Sequence, residues 1–222
     1  MTTPGPKFVL PGSWGRVDLS SEAASRSSIR KLAETATNRK EELASLRAEI
    51  RVRFQKAADL AREAGATDLY LAYELAKGIP LPAWLTVFSP EIDEVDFTAL
   101  GLDELSTVLR YSIATNNPEI AIAEPALNEQ IKAVRHSWRR VTHVVEGEVE
   151  EDFEVLEADY WLAAADPARI ALMTFSTAYV EYEEEMLNLF DAVISTIRWD
   201  VPREPAELVA DDAPVDSAPV SA

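Results

Sequence analysis

The segment of residues 171–199 constrains the fold most, because an apolar stretch with strand character runs directly into an acidic, amphipathic helix. It reads ALMTFSTAYVEYEEEMLNLFDAVISTIRW. The apolar residues of the predicted helix recur at spacings of three and four: Tyr182, Met186, Leu189, Phe190, Val193 and Ile197. This spacing predicts a helix that buries one broad face. Since burying each large side chain contributes roughly 1.5–3 kcal/mol, we expect the helix to cover a sheet as part of the core.

Four stretches before this helix predict successive strands: EIAIAEPAL, AVRHSWRRVTHVV, FEVLEADYWLA and RIALMTFST. The turn-like segments EGEVEED and AADPA separate the last three, with the spacing of an antiparallel meander. Two earlier stretches, DLYLAYEL and LTVFS, also predict strands because apolar residues alternate along them. In the AVRHSWRRVTHVV strand, alternation places Arg135, Ser137 and Arg139 on one face, which we expect to be wet.

The N-terminal third predicts one long helix over residues 21–63, because no Pro or Gly interrupts residues 26–63. Apolar residues fall there on one a/d register: Ile29, Leu32, Ala36, Leu43, Leu46, Ile50, Ala57 and Leu60. The register is consistent with a coiled-coil seam for a second chain, or with a helix laid across its own sheet and bent near residues 35–38. Arg39 and Arg53 break the register over about five heptads, which favours the second interpretation.

Charge and composition exclude several classes of function. The formal net charge of −18 repels phosphate backbones and anionic lipid, so we expect neither nucleic acid nor membrane as a partner. The chain contains no Cys, which excludes disulfides and thiolate chemistry, and no segment resembles a signal peptide or a membrane span. These features predict a cytoplasmic protein. The charge is uneven: residues 22–63 carry ten basic and seven acidic side chains, and residues 140–222 carry four and twenty.

Composition also suggests the domain boundary. Residues 201–222 read VPREPAELVADDAPVDSAPVSA and combine four Pro with acidic and small side chains, without an aromatic residue. Such composition is typical of disordered segments. We therefore expect a single α+β domain over residues 1–200, in which an antiparallel sheet packs against a long N-terminal helix and a C-terminal helix, followed by a disordered acidic tail.

The sequence gives no sign of a catalytic or metal site. His136 and His143 lie seven residues apart on one predicted strand, on opposite faces and about 23 Å from each other. The motifs GxSxG and HExxH and Gly-rich phosphate loops are absent. The EGEVEED segment lacks the pattern of a calcium loop, and the glutamates of EYEEE suit a helix N-terminus. We accordingly predict no catalytic residue, no cofactor and no metal.

Two parts of the chain resemble a known family. FVLPGSWGRVDLS at the start and ADYWLAAADPARIALMTFSTAYVEYEEEMLNLFDAVISTIRW at the end resemble PsbP-like/Mog-like α/β domains, over residues 8–20 and 133–199. The long helix and the Ala- and Arg-rich composition resemble an actinobacterial variety. The resemblance implies an antiparallel sheet sandwiched by helices, with the last strand-to-helix unit across it. Relatives include a Ran-binding protein, a photosystem II subunit and chaperones for secreted effectors, and the family shares no catalytic residues.

The resemblance therefore implies a non-catalytic protein-binding accessory, adaptor or chaperone-like protein, associated with a bacterial secretion or toxin system and acting as a monomer or weak dimer. Four residues are candidates for the partner surface, because aromatic and Arg side chains dominate hot spots: Trp138, Arg139, Trp161 and Tyr179. Two alternatives remain open. One is a small-molecule-binding or enzymatic domain with a pocket between the long helix and the sheet, and the other is a structural protein that self-associates through the long helix.

Overall fold

The computed structural model describes residues 5–37, 40–90, 101–116, 121–125, 127, 131–146, 149–165 and 168–199. The acidic tail of residues 201–222, predicted to be disordered, lies outside the described residues. The same holds for the centre of the EGEVEED turn at residues 147–148.

The strands have the following bounds: β1 (Ser13–Asp18), β2 (Asp68–Ala76), β3 (Ile79–Pro80), β4 (Ala83–Phe88), β5 (Ala121–Ala123), β6 (Ile131–Glu146), β7 (Val149–Ala165) and β8 (Ala168–Thr177). They form one eight-stranded sheet in the order β1-β2-β4-β8-β7-β6-β5, with β3 paired to β2. Every pairing is antiparallel. The predicted α+β class with an antiparallel sheet is confirmed.

The C-terminal helix α4 (Glu183–Ser195) follows β8 through a 3₁₀ turn and covers one face of the sheet. Four residues of the predicted apolar stripe are buried, Met186, Phe190, Val193 and Ile197, and Ile194 is buried beside them. Tyr182, at the start of the stripe, is exposed. Phe190 stacks on Phe175 of β8 with ring centroids 4.5 Å apart. Because side chains alternate along β7, Leu156, Ala158, Tyr160 and Leu162 all join this core. The predicted sheet-covering helix is thus confirmed.

A buried polar contact also attaches α4 to the sheet. Asp191 accepts hydrogen bonds from Arg135 Nη1 at 2.6 Å and from the Tyr160 hydroxyl at 2.7 Å. Burial acts to lower the pKa of Arg135, but Tyr160 and Asp191 beside it outweigh burial and raise that pKa, and burial is the main reason why the pKa of Tyr160 is raised. The Arg135 side chain is only 16% exposed, so the expectation of a wet arginine face was wrong at this position. Arg135 and Arg139 therefore both contact acidic residues of the α4 helix.

Three helices lie on the opposite face: α1 (Glu22–Ala36), α2 (Ala44–Glu63) and α3 (Leu102–Asn116). The expected single helix over residues 21–63 is therefore corrected to two helices. The chain leaves α1 at Thr37, whose hydroxyl donates to the Ala33 carbonyl and accepts from Arg47 Nε of α2. Arg47 also donates to the Lys40 carbonyl, so a tertiary contact stabilises the break without Pro or Gly.

Because residues 21–63 form two helices, the predicted a/d positions do not form one buried face. Ile29 is buried against β1 and β2, but Leu46 and Leu60 of α2 are exposed, and Ala58 and Ala61 face the sheet in their place. No continuous apolar seam runs along residues 22–36 and 44–63. The two helices contact each other as a hairpin, with Arg51 of α2 beside Glu34 of α1.

Close packing of α1 on the sheet requires a glycine in β1. A Cβ added to Gly15 would lie 1.9 Å from Leu32 Cδ2, inside van der Waals contact. The absence of a side chain at this position lets α1 approach the strand. None of the helices in the described part of the chain is long and apolar enough to cross a membrane.

Candidate functional site

The face opposite α4 carries polar side chains at its centre, between the α1–α2 hairpin over β1 and β2 and α3 over β6 and β7. Two rows of cross-strand neighbours run over β6, β7, β8 and β4: Trp138, Glu157, Ser176 and Trp84, then His136, Asp159, Thr174 and Thr86. We call five of these residues the polar cluster: His136, Glu157, Asp159, Thr174 and Ser176. His136, Glu157 and Ser176 are buried.

Glu157 is held on both oxygens. Arg140 donates to its Oε1 from Nη2 at 2.6 Å and from Nε at 3.2 Å, and the Ser176 hydroxyl donates to its Oε2. A buried carboxylate is costly unless it is paired and hydrogen-bonded, and these contacts meet that requirement. Glu157 therefore has a structural role in joining β6, β7 and β8.

Asp159 and His136 form the more unusual part of the polar cluster. The Thr174 hydroxyl donates to Asp159 Oδ1 at 2.6 Å, while His136 Nε2 lies 3.5 Å from Oδ2. Burial is the largest cause that raises the pKa of Asp159, to about 6, and the nearby Glu157 acts in the same direction. Burial also lowers the pKa of His136, whose Nδ1 is enclosed without a hydrogen-bond partner. This pair can hold a proton close to neutral pH.

Both carboxylates of the polar cluster are already paired with other side chains. Both oxygens of each carboxylate face a polar group already, and the hydroxyls of Thr174 and Ser176 donate to the carboxylates. In the part of the chain that the structure describes, no three His, Asp or Glu side chains are grouped so that they could hold a metal ion. The geometry is that of a buried hydrogen-bonded network.

The four residues predicted for a partner surface do not form one surface. Trp138 stacks on His136 with ring centroids 5.0 Å apart, and Trp161 packs with Leu105 of α3, so both lie on the polar-cluster face. Arg139 and Tyr179 lie on the α4 side. Arg139 donates to Glu183 at 2.8 Å, and the Tyr179 hydroxyl donates to the Pro80 carbonyl at 3.2 Å.

A second candidate site lies between α1 and α2. A hollow of about 620 Å³ is lined by Ala23, Arg26, Ser27, Ile29, Arg30, Arg51, Val52 and Gln55. We call this hollow the arginine groove. Val52 is 71% exposed at its surface, and Ile29 is part of the core behind it. The groove thus combines apolar side chains with three guanidinium groups.

The arginines of the groove are only lightly neutralised. Arg26 pairs with Glu22 one turn away, and Arg51 Nη2 lies 3.9 Å from Glu34 Oε1, a long contact, while its Nε is enclosed without a partner. Arg30 makes no hydrogen bond or ion pair with the other described residues. In a chain with a net charge of −18, this concentration of positive charge is a local exception.

The sequence could not predict the arginine groove, because a single long helix would keep Arg26 and Arg51 far apart. The only available signal was the basic excess of residues 22–63. The alternative of a pocket between a long helix and the sheet also needs revision. Apolar side chains fill that interface, among them Leu69 and Leu71 of β2 and Phe54 and Ala58 of α2. The hollow lies between the helices instead.

Comparisons with models of protein families, with curated proteins and with solved structures found no match to this chain.

Proposed function

We propose that this chain is a non-catalytic protein-binding accessory protein, of adaptor or chaperone-like type, that holds an acidic segment of its partner in the arginine groove. The groove is the observation that carries the proposal. It offers an apolar floor next to Arg26, Arg30 and Arg51, and such a surface suits a peptide with both aliphatic and acidic side chains.

The contacts favour a peptide over other ligands. Guanidinium groups recognise carboxylates well, and Arg30 has no competing partner among the described residues. A nucleic acid offers the same negative charge, but the chain as a whole, at a net −18, repels its backbone. A short acidic segment of a partner can bind through the local positive charge of the α1–α2 hairpin alone.

The resemblance of residues 8–20 and 133–199 to PsbP-like/Mog-like domains supports the same class of function, and we include in the proposal an association with a bacterial secretion or toxin system. Within this proposal the protein acts in the cytoplasm as a monomer or weak dimer. Of the four residues predicted for a partner surface, Trp138 and Trp161 mark the rival binding surface, since both are half-buried beside the polar cluster. Arg139 and Tyr179 lie on the α4 side and do not belong to it.

The test is affinity capture from native lysate with three forms of the full chain: wild type, Arg26→Glu/Arg30→Glu, and the control Arg110→Glu. Arg110 is an exposed arginine on α3 that pairs with Glu124, so the control reverses the charge of one arginine outside the groove. We expect one or more proteins to be captured by wild type and by the control, and lost with the groove variant. Circular dichroism and the urea midpoint verify that the variants fold.

Affinity measurements with the captured protein then show whether it binds at the arginine groove or at the rival surface. The captured protein is purified and titrated against each form, with Trp138→Ala as a further variant. A loss of roughly tenfold or more in affinity for the groove variant, at 1.4 kcal/mol per tenfold, supports the proposal. Equal affinity of wild type and the groove variant, or a loss confined to Trp138→Ala, contradicts it.

A further inference from the structure

We propose that the chain's own acidic segment, residues 204–212, binds in the arginine groove and competes there with the partner. This inference rests on the proposed function of the groove and adds its regulation. The segment reads EPAELVADD. It carries the chemistry that the groove requires, namely two aliphatic residues, Leu208 and Val209, with carboxylates on both sides.

Charge complementarity supports the pairing. Residues 204–212 contain four carboxylates and no basic residue, whereas the groove is lined by Arg26, Arg30 and Arg51. Glu207 precedes the aliphatic pair, and Asp211 and Asp212 follow it within three residues. The apolar side of Val52 is exposed at the groove and has the size to meet one aliphatic side chain.

The position of the chain at Trp199 makes the contact sterically accessible. The backbone of Arg198 pairs with that of Lys7, and the next residue, Phe8, packs edge-on against Tyr70 of β2 with centroids 5.3 Å apart. The chain therefore leaves the described fold beside β2, and α1 and α2 cover β1 and β2 from the other face. Only the edge strand β1 separates β2 from the rim of the sheet.

Length permits the path around that rim. Nine residues separate Trp199 from Leu208, and an extended chain of that length spans up to about 30 Å. Passing the sheet edge and one helix diameter takes on the order of 20 Å. A segment tethered in this way reaches an effective concentration of about 1 mM, so even a weak contact is substantially occupied.

The test uses a fluorescent peptide of residues 200–222 and two full-length proteins, wild type and the variant Glu207→Gln/Asp211→Asn/Asp212→Asn. In the variant the tethered segment keeps only one of its four carboxylates, that of Glu204, so we expect the groove to be free. If the peptide binds the free groove with a Kd of about 0.1 mM, a tether at about 1 mM weakens its binding to wild type about tenfold. Anisotropy titrations measure both affinities, and added salt should weaken the binding to the free groove.

Three results overturn the inference: no binding of the peptide to the charge-neutralised variant, equal binding to both proteins, or binding that survives Arg26→Glu/Arg30→Glu in the neutralised background. Occupation by the segment of a second copy is a further alternative. In that case the mass from light scattering rises with concentration for wild type and stays monomeric for the neutralised variant, which also contradicts the tethered contact.

The two proposals fail separately. If the peptide does not bind but a partner is still captured in a groove-dependent manner, this inference is wrong and the proposed function stands. If the peptide binds and competes as expected while no partner is captured, the groove binds the acidic segment of its own chain only. The inference about the segment is then supported, and the proposed function is lost.

Discussion

Replacing Asp159 by Asn tests whether the ionised carboxyl of Asp159 destabilises the folded protein at neutral pH. Burial raises the pKa of Asp159 from 3.8 to about 6 in the folded protein. Because the folded state holds this proton more tightly than the unfolded state, the stabilising contribution is complete below pH ~4 and is lost as the pH rises toward and past 6. At about 1.4 kcal/mol per pKa unit, the ionised carboxyl costs about 3 kcal/mol.

The asparagine variant should keep the geometry and remove the charge. Its side-chain oxygen can still accept from the Thr174 hydroxyl, while its amide replaces the carboxylate oxygen near His136. We therefore expect Asp159→Asn to be more stable than wild type at pH 7.5 by up to about 3 kcal/mol. The gain should shrink by about 2 kcal/mol at pH 4.5, where the wild-type carboxyl is mostly protonated in the fold.

The assay is urea unfolding of both proteins across pH 4.5–7.5, with stability obtained by linear extrapolation. Taking the difference between the two proteins at each pH largely cancels the titration of groups outside the polar cluster. Thr174→Val is the internal check, because the threonine hydrogen bond lowers the pKa of Asp159, and its loss should move the pH dependence upward. A difference that stays constant across this pH range refutes the argument.

Two further substitutions probe the packing of the helices on the sheet. Gly15→Ala should destabilise the fold by about 1–3 kcal/mol because its Cβ overlaps Leu32, and Leu32→Ala should recover part of that loss in a double-mutant cycle of urea midpoints. Additive effects would contradict the overlap. Asp191→Ala leaves Arg135 and the Tyr160 hydroxyl without their acceptor. We expect the free energy of unfolding to fall by about 2–4 kcal/mol, measured by thermal unfolding. An unchanged Tm would show that α4 does not depend on this contact.

The strands and α4 were predictable because their patterns are local. Alternation along residues 153–163 and 170–177, and the three-and-four spacing after Tyr182, depend only on which residues face a core. The sequence suggested a bend near residues 35–38, but the complete break after Thr37 into two helices was not predictable, because no residue there disfavours a helix strongly. It depends on contacts of Arg47 with Thr37 and Lys40, which exist only once the hairpin has formed.

The polar cluster was missed for a related reason. Glu157 and Asp159 alternate with apolar residues, and this pattern is the one expected for a solvent-facing side of a strand. Their partners Ser176 and Thr174 lie 19 and 15 residues away and meet them only through the β7–β8 register. Sequence reasoning therefore located the strand correctly but could not tell that its polar side is buried.

The β6–β7 hairpin extends beyond the rest of the sheet, and this affects solubility. The β8 pairing with β7 begins at Leu156, so residues 149–155 form a ladder with β6 alone within the described chain. Such a ribbon exposes unpaired backbone groups, and Val141 and Phe153 are exposed on it. Acidic residues at positions 150, 151, 152 and 154 accompany this open edge, and like charges discourage two copies from adding strands to each other. The acidity of the hairpin thereby protects the protein against edge-to-edge aggregation.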